Sequence, residues 1–141
     1  MNNIDYINAC CDLVELYKIR NFIELKALDY GLNSDAATKV ALAVDEACTN
    51  LIEHAFKFDK NKTICIATEK IDKKMVVSII DQSQPFNPLS VQKQNMEEYF
   101  REFKKGGLGI QLMRSVMDDI EYYPASSQNN QNVLKLIKNI E

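Results

Sequence analysis

The sequence predicts an α+β domain: a two-layer sandwich in which helices cover one face of a mixed, mostly antiparallel sheet. Three observations predict it. Two long segments near the N-terminus carry apolar residues at helical spacing. Two short runs rich in β-branched residues follow, TICIATEK and MVVSIID, with only IDKK between them, which suits a hairpin. A third helical segment and two further strand-like runs come last, and helices set apart from hairpin-linked strands form two layers.

The elements follow in chain order. Residues Ile4 to Cys10 suit a short strand. Asp12 is placed to cap a helix running through LVELYKIRNFIELKALDYG and ending at Gly31. Its apolar residues Leu13, Leu16, Tyr17, Ile19, Phe22, Ile23, Leu25 and Leu28 spread widely around the wheel, so much of this helix is expected to be covered. Ser34 or Asp35 is the expected cap of a second helix that continues to about Lys57. FDKNK reads as a polar turn, and strands are expected over Thr63–Lys70 and Met75–Asp81. Pro85 and Pro88 block regular structure in QSQPFNP. The polar stretch LSVQKQNMEEYFREFKK then leads to GGLGIQLMRSVMDD, whose glycines open a helix expected to end near Asp119. Ile120–Tyr123 and Val133–Ile137 are the last two strands, separated by PASSQNNQN.

The bulk numbers set limits on function. A chain of 141 residues is expected to form one domain, 1–141, with a sizeable core. Its 46% apolar and 26% charged residues suit a globular protein, and a net charge of −3 argues against general affinity for nucleic acid or an anionic membrane. No apolar run approaches a membrane span, and MNNIDYINACCDLVE lacks the layout of a signal peptide, so a cytoplasmic protein is expected. Cys10, Cys11, Cys48 and Cys65 have neither zinc-ligand nor disulfide-framework spacing; each is expected to act as a small apolar residue in a reducing compartment.

Three motifs bear on chemistry. In VDEACTNLIEHAF, Asp45, Glu46, Thr49, Asn50, Glu53 and His54 fall on one half of the helical wheel. Periodicity alone favours a solvated polar face. Asn50 resists that reading, because Asn is a mediocre helix former and sits mid-helix one turn after Glu46. The i, i+4 pair can offer a carboxylate and a carbonyl oxygen to one point in space, as a proton acceptor and a hard cation require. Second, GGLG at Gly106–Gly109 precedes a helix, where backbone amides and the helix N-terminus suit phosphate; a flexible turn explains the glycines too. It is neither a Walker loop nor a dinucleotide fingerprint. Third, Asp81 ends an apolar strand, where it either starts an ordinary turn or accepts a hydrogen bond from a ligand amino group.

Taken in order, Glu46-x-x-x-Asn50, Asp81-x-Ser83-x-Pro85-Phe86 and Gly106-Gly107-Leu108-Gly109 resemble the GHKL ATP-binding family. Within it the chain is similar to the stand-alone anti-sigma factor serine kinases, over nearly its whole length. The resemblance implies the Bergerat-type fold, ATP and Mg²⁺ as cofactors, and Glu46 as the general base that accepts the proton of an attacking serine hydroxyl. It implies Asn50 as the Mg²⁺ ligand, Asp81 as the partner of the adenine amino group, and Ser83, Pro85 and Phe86 in the loop beside the base. Gly107, Leu108 and Gly109 would bring backbone amides to the phosphates. Residues Asn87–Lys105 would form a lid, with Arg101, Lys104 or Lys105 on the phosphates, and His54 is expected to pack. The implied partners are a sigma factor and a small antagonist of the anti-sigma factor, with no direct nucleic acid and no membrane; a homodimer is compatible with the resemblance. The chain departs from the family pattern at Ser83, where the family has glycine. NVLKLIK also lacks the threonine often found beside the adenine-binding Asp. Glu46 favours a kinase, whereas Ser83 favours a non-catalytic regulatory binding module of the same fold. A detached histidine kinase domain fits less well, since no dimerisation helix with a phosphoacceptor His is present.

Overall fold

The computed structural model describes residues 4–55, 59, 61–82, 113–126 and 128–141. Strand β1 (Asp5–Cys10) leads through a 3₁₀ turn (Leu13–Glu15) to helix α1 (Leu16–Tyr30) and helix α2 (Ser34–Asn50). A π turn (Leu51–Ala55) extends α2, and β2 (Thr63–Ile71), β3 (Lys74–Asp81), β4 (Asp119–Tyr123) and β5 (Asn132–Asn139) follow. The strands form one sheet in the order β1-β2-β3-β5-β4. All four pairings among the described strands are antiparallel, so the expected two-layer α+β arrangement holds without the parallel component of a mixed sheet.

Local chemistry sets the element ends. Asp12 caps the 3₁₀ turn by accepting the Val14 N–H at 3.1 Å. Helix α1 ends at Gly31, whose φ of +112° only glycine adopts easily. There the Leu32 N–H bonds the Ala27 carbonyl and the Gly31 N–H bonds that of Leu28, a Schellman closure. The cap of α2 is Asn33 rather than Ser34 or Asp35. Its extended backbone lets the side chain accept the Ala36 N–H at 2.8 Å, and the first capping-competent residue of Asn-Ser-Asp takes the role. Asp72, at a φ of 55°, turns the β2–β3 hairpin in two residues, and each strand runs one residue further into the turn than expected.

The helix expected to reach Asp119 stops earlier. Residues 113–116 are helical, and Asp119 begins β4. Strand pairing outcompetes the helix: the Asp118 N–H goes to the Ile137 carbonyl at 2.8 Å, and Lys138 Nζ caps the freed Val116 carbonyl at 2.9 Å. Helix α2 also ends sooner than expected, at Asn50, where the π turn takes over.

The core lies between the layers. Directly opposed residues share a face, so the register puts Ile64, Ile66 and Thr68 of β2 beside Asp81, Ile79 and Val77 of β3, and those beside Asn132, Leu134 and Leu136 of β5. Leu16, Ile19, Ile23, Ala27 and Tyr30 of α1 make a buried stripe at helical spacing. Leu13, Val14, Tyr17, Leu25 and Leu28 are exposed, so the apolar breadth of this helix does not mean that it is covered. Helix α2 buries Ala37, Val40, Ala41, Val44, Ala47 and Cys48, small residues that let the helices approach closely.

Candidate nucleotide site

Two places carry the candidate chemistry. The first is the C-terminal end of α2. Val44, Ala47, Cys48, Leu51 and Ile52 anchor it in the core, which fixes how the polar side of the helix faces. Asp45, Glu46, Thr49 and Asn50 are half-buried rather than solvated, whereas Glu53 is exposed. The polar half of the wheel is therefore split: its first two turns are partly covered, and only the last carboxylate is open to water.

Glu46 and Asn50 stand one helical turn apart, and the α-helix ends at Asn50. Thr49 returns its hydroxyl to the Asp45 carbonyl at 2.8 Å, and the backbone then widens into the π turn. Single π turns inside helices are frequent at functional sites. Asn50 Nδ2 and Asp45 Oδ1 are buried with no hydrogen-bond partner among the described residues. Burial raises the Asp45 carboxyl above its usual range, and the Arg20 guanidinium, with Nε 3.7 Å from Oδ1, partly opposes this. A buried amide without a partner is costly unless something else completes it.

That orphan bears on whether Mg²⁺ and a triphosphate fit. Mg²⁺ takes oxygen ligands and is usually held by one or two side chains together with substrate phosphates. The Asn50 carbonyl oxygen suits it. Among the described residues no cluster of three or more His, Cys, Asp or Glu could hold a metal, so most of the shell would come from phosphate and water. The chemistry of the residues present fits that group.

The second place is the end of β3. Asp81 is 4% exposed. Asn132, directly opposite it at the start of β5 and 3% exposed, donates from Nδ2 to Asp81 Oδ1 at 3.0 Å. Asn132 Oδ1 in turn accepts the Ala125 N–H at 2.7 Å. Burial, reinforced by the Asp81 charge, pushes the Cys11 thiol up to about 11 and the Tyr122 phenol up to about 12. Cys48 is pushed up by burial and then by Asp45 and Cys11. The field of Asp81 thus reaches Cys11, and Cys11 reaches Cys48 on α2, which sets both places at one end of the sandwich.

All four cysteines are free thiols. Cys11 and Cys48 are buried and Cys65 is partly so, as expected of small apolar residues, but Cys10 is exposed. Ser83, Pro85, Phe86, Arg101, Lys104, Lys105, Gly107, Leu108 and Gly109, with the expected lid Asn87–Lys105, lie outside the described residues, as does the side chain of His54. Asn132 was not visible as a site residue in the sequence. Its signal is the register of β5 on β3, which a strand-level reading does not fix.

Comparison with known proteins agrees with this geometry. The family model described as "Histidine kinase-like ATPase domain" matches residues 11–138. The serine-protein kinase RsbW of Bacillus subtilis (strain 168) is 30% identical over 126 residues, which cover 84% of this chain and 78% of that protein. RsbW of Bacillus licheniformis is 30% identical over 94 residues, 64% of this chain and 59% of that protein. RsbW of Listeria innocua serovar 6a is 31% identical over 98 residues, 66% of this chain and 62% of that protein. The match thus spans somewhat under two thirds of the length of the latter two relatives. No described helix is long and apolar enough to cross a membrane.

Proposed function

The chain belongs to the histidine kinase-like ATPase domain family, and on that premise we propose that it is a cytoplasmic protein serine kinase and anti-sigma factor. It binds Mg·ATP, transfers the γ-phosphoryl group to a serine of a small antagonist protein, and sequesters a sigma factor. The kinase part is supported by relatives named serine-protein kinase, and the choice of partners by the motif resemblance. The observation that carries the reading is Asn50: a buried amide without a partner among the described residues, one turn beyond a half-buried Glu46.

The residues divide the work as phosphoryl transfer demands, with positioning and charge stabilisation doing most of it. Asn50 Oδ1 holds Mg²⁺, which when bound neutralises charge on the phosphates. Glu46 accepts the proton of the serine hydroxyl. Asp81 accepts a hydrogen bond from the adenine amino group, with Ser83, Pro85 and Phe86 beside the base. Gly107, Leu108 and Gly109 offer backbone amides to the phosphates, and Lys104 and Lys105 their charge.

Glu46→Ala tests the reading. ATP affinity, measured by isothermal titration, should stay within a few fold of wild type. Transfer of radiolabelled phosphate to the antagonist should fall by roughly 10²–10⁴, the usual worth of a general base. Transfer at the wild-type rate would remove Glu46 from that role. A wild-type protein that binds a sigma factor but phosphorylates no antagonist would instead be a sequestering module.

A further inference from the structure

We propose that Asn132 is a positioning residue that sets the donor–acceptor polarity of the base subsite, and so makes the protein select a purine with an amino group at C6 over one with a carbonyl there. The inference rests on the reading of Asp81 as the contact to the base.

The argument begins with which way the Asn132 amide points. Oxygen and nitrogen of a carboxamide are told apart by their partners. Here the partner on one side is the Ala125 backbone N–H, 2.7 Å from Oδ1, and a backbone N–H can only donate. The oxygen therefore faces Ala125, and the NH₂ group faces Asp81, with Nδ2 3.0 Å from Oδ1. Both side chains are buried, and β-sheet register sets them opposite each other. The amide thus has little freedom to turn over, because turning it would set two donors against each other at Ala125 and two acceptors at Asp81.

A fixed donor at Oδ1 has a consequence for the carboxyl. A proton on that oxygen would point at the Asn132 N–H, so the pair favours Asp81 as a pure acceptor. A pure acceptor pairs with an N–H of the ligand. Against a carbonyl edge it leaves two oxygens facing each other with no proton between them. Sites built to hydrogen-bond one group reject the analogue lacking it because buried polar groups are left unpaired. Asn132 also ties this polarity to the 124–131 connection through Ala125, so base selection is set by the β4–β5 link as well as by β3.

The test compares Mg·ATP with Mg·ITP, which differ at C6 and in the protonation of N1, by isothermal titration. Wild type should prefer ATP by at least tenfold. Asn132→Asp keeps the shape and the acceptor for Ala125 but replaces the donor with a second carboxyl. Two adjoining carboxyls hold a proton between them, so the subsite gains an O–H donor, and the ATP:ITP ratio should fall at least tenfold. Asn132→Ser removes the amide donor without adding charge and should move the ratio the same way. A merely structural role would weaken both nucleotides together and leave the ratio unchanged. A wild-type ATP preference that persists in both variants overturns the role of Asn132 and leaves Asp81 in place. A wild type with no ATP:ITP preference removes Asp81 from the base, and this inference with it.

Discussion

Two buried polar pairs lie on the helix-facing side of the sheet, and they differ in kind. Near one end Thr68, fully buried, meets the hydroxyl of Tyr30 from the last turn of α1 at 3.0 Å. At the other, Asp81 meets Asn132. The first pair is neutral and spans the two layers, and it ties the Schellman closure of α1 to the sheet. The second pair lies within the sheet and carries a carboxylate. A neutral hydrogen bond between buried groups contributes about 1 kcal/mol. A buried carboxylate loses several kcal/mol of hydration that one amide does not return. Stability alone therefore explains the Tyr30–Thr68 pair and not the Asp81–Asn132 pair. The charged pair stands where the candidate site is, and the neutral one stands away from it.

The sharpest way to break that contrast is Asp81→Asn. ATP affinity should fall on the order of 100-fold, about 2.7 kcal/mol, while the melting temperature stays level or rises because a buried charge is gone. A fall in melting temperature with ATP affinity intact would make the two pairs equivalent. Tyr30→Phe comes next in size. It leaves the Thr68 hydroxyl buried and unpaired in that contact, and should cost about 1–3 kcal/mol in a urea titration. Adding Thr68→Val should recover most of the loss, and neither change should alter ATP affinity.

The smallest effect is a pH dependence at Cys11. Its thiol is pushed from the ordinary 9.0 up to about 11, first by burial and then by Asp81. The folded chain then keeps a proton that the unfolded chain gives up. The contribution is fully present below pH 9 and is lost as pH rises through about 11. Unfolding of wild type and Cys11→Ala from pH 8 to 11 should show a steeper decline for wild type. Combining Asp81→Asn with each should shrink the difference, since the carboxylate is one cause of the shift.

What the sequence could say differs between the same two places. The strands were legible because their alternation is local, and so were the Asp12 and Gly31 signals. Asn33 was passed over because Ser34 and Asp35 are equally good caps one step later, and only the backbone angle decides. The end of the third helix was misplaced because it depends on β5 claiming the Asp118 N–H from the far end of the chain. Glu46 and Asn50 were visible as a pair, but their half-burial was not, since a helical wheel does not say what lies against its polar side. Asp81 could be read from its position at the end of an apolar strand. Its partner Asn132 is 51 positions away, so naming it needs the strand register to within one residue.

The π turn at Leu51–Ala55 has a consequence for gene-level change. A π turn closes its hydrogen bonds one residue later than an α turn, so it is the mark an extra residue leaves when the flanks hold their places. Deleting one residue there would let the helix run on with ordinary bonds. It would also turn everything downstream by about 100°, carrying the buried Leu51–Ile52 side out of the core. Most conservative point substitutions in this turn are therefore expected to be tolerated better than a single-codon deletion, because the turn holds chain length fixed more strictly than residue identity.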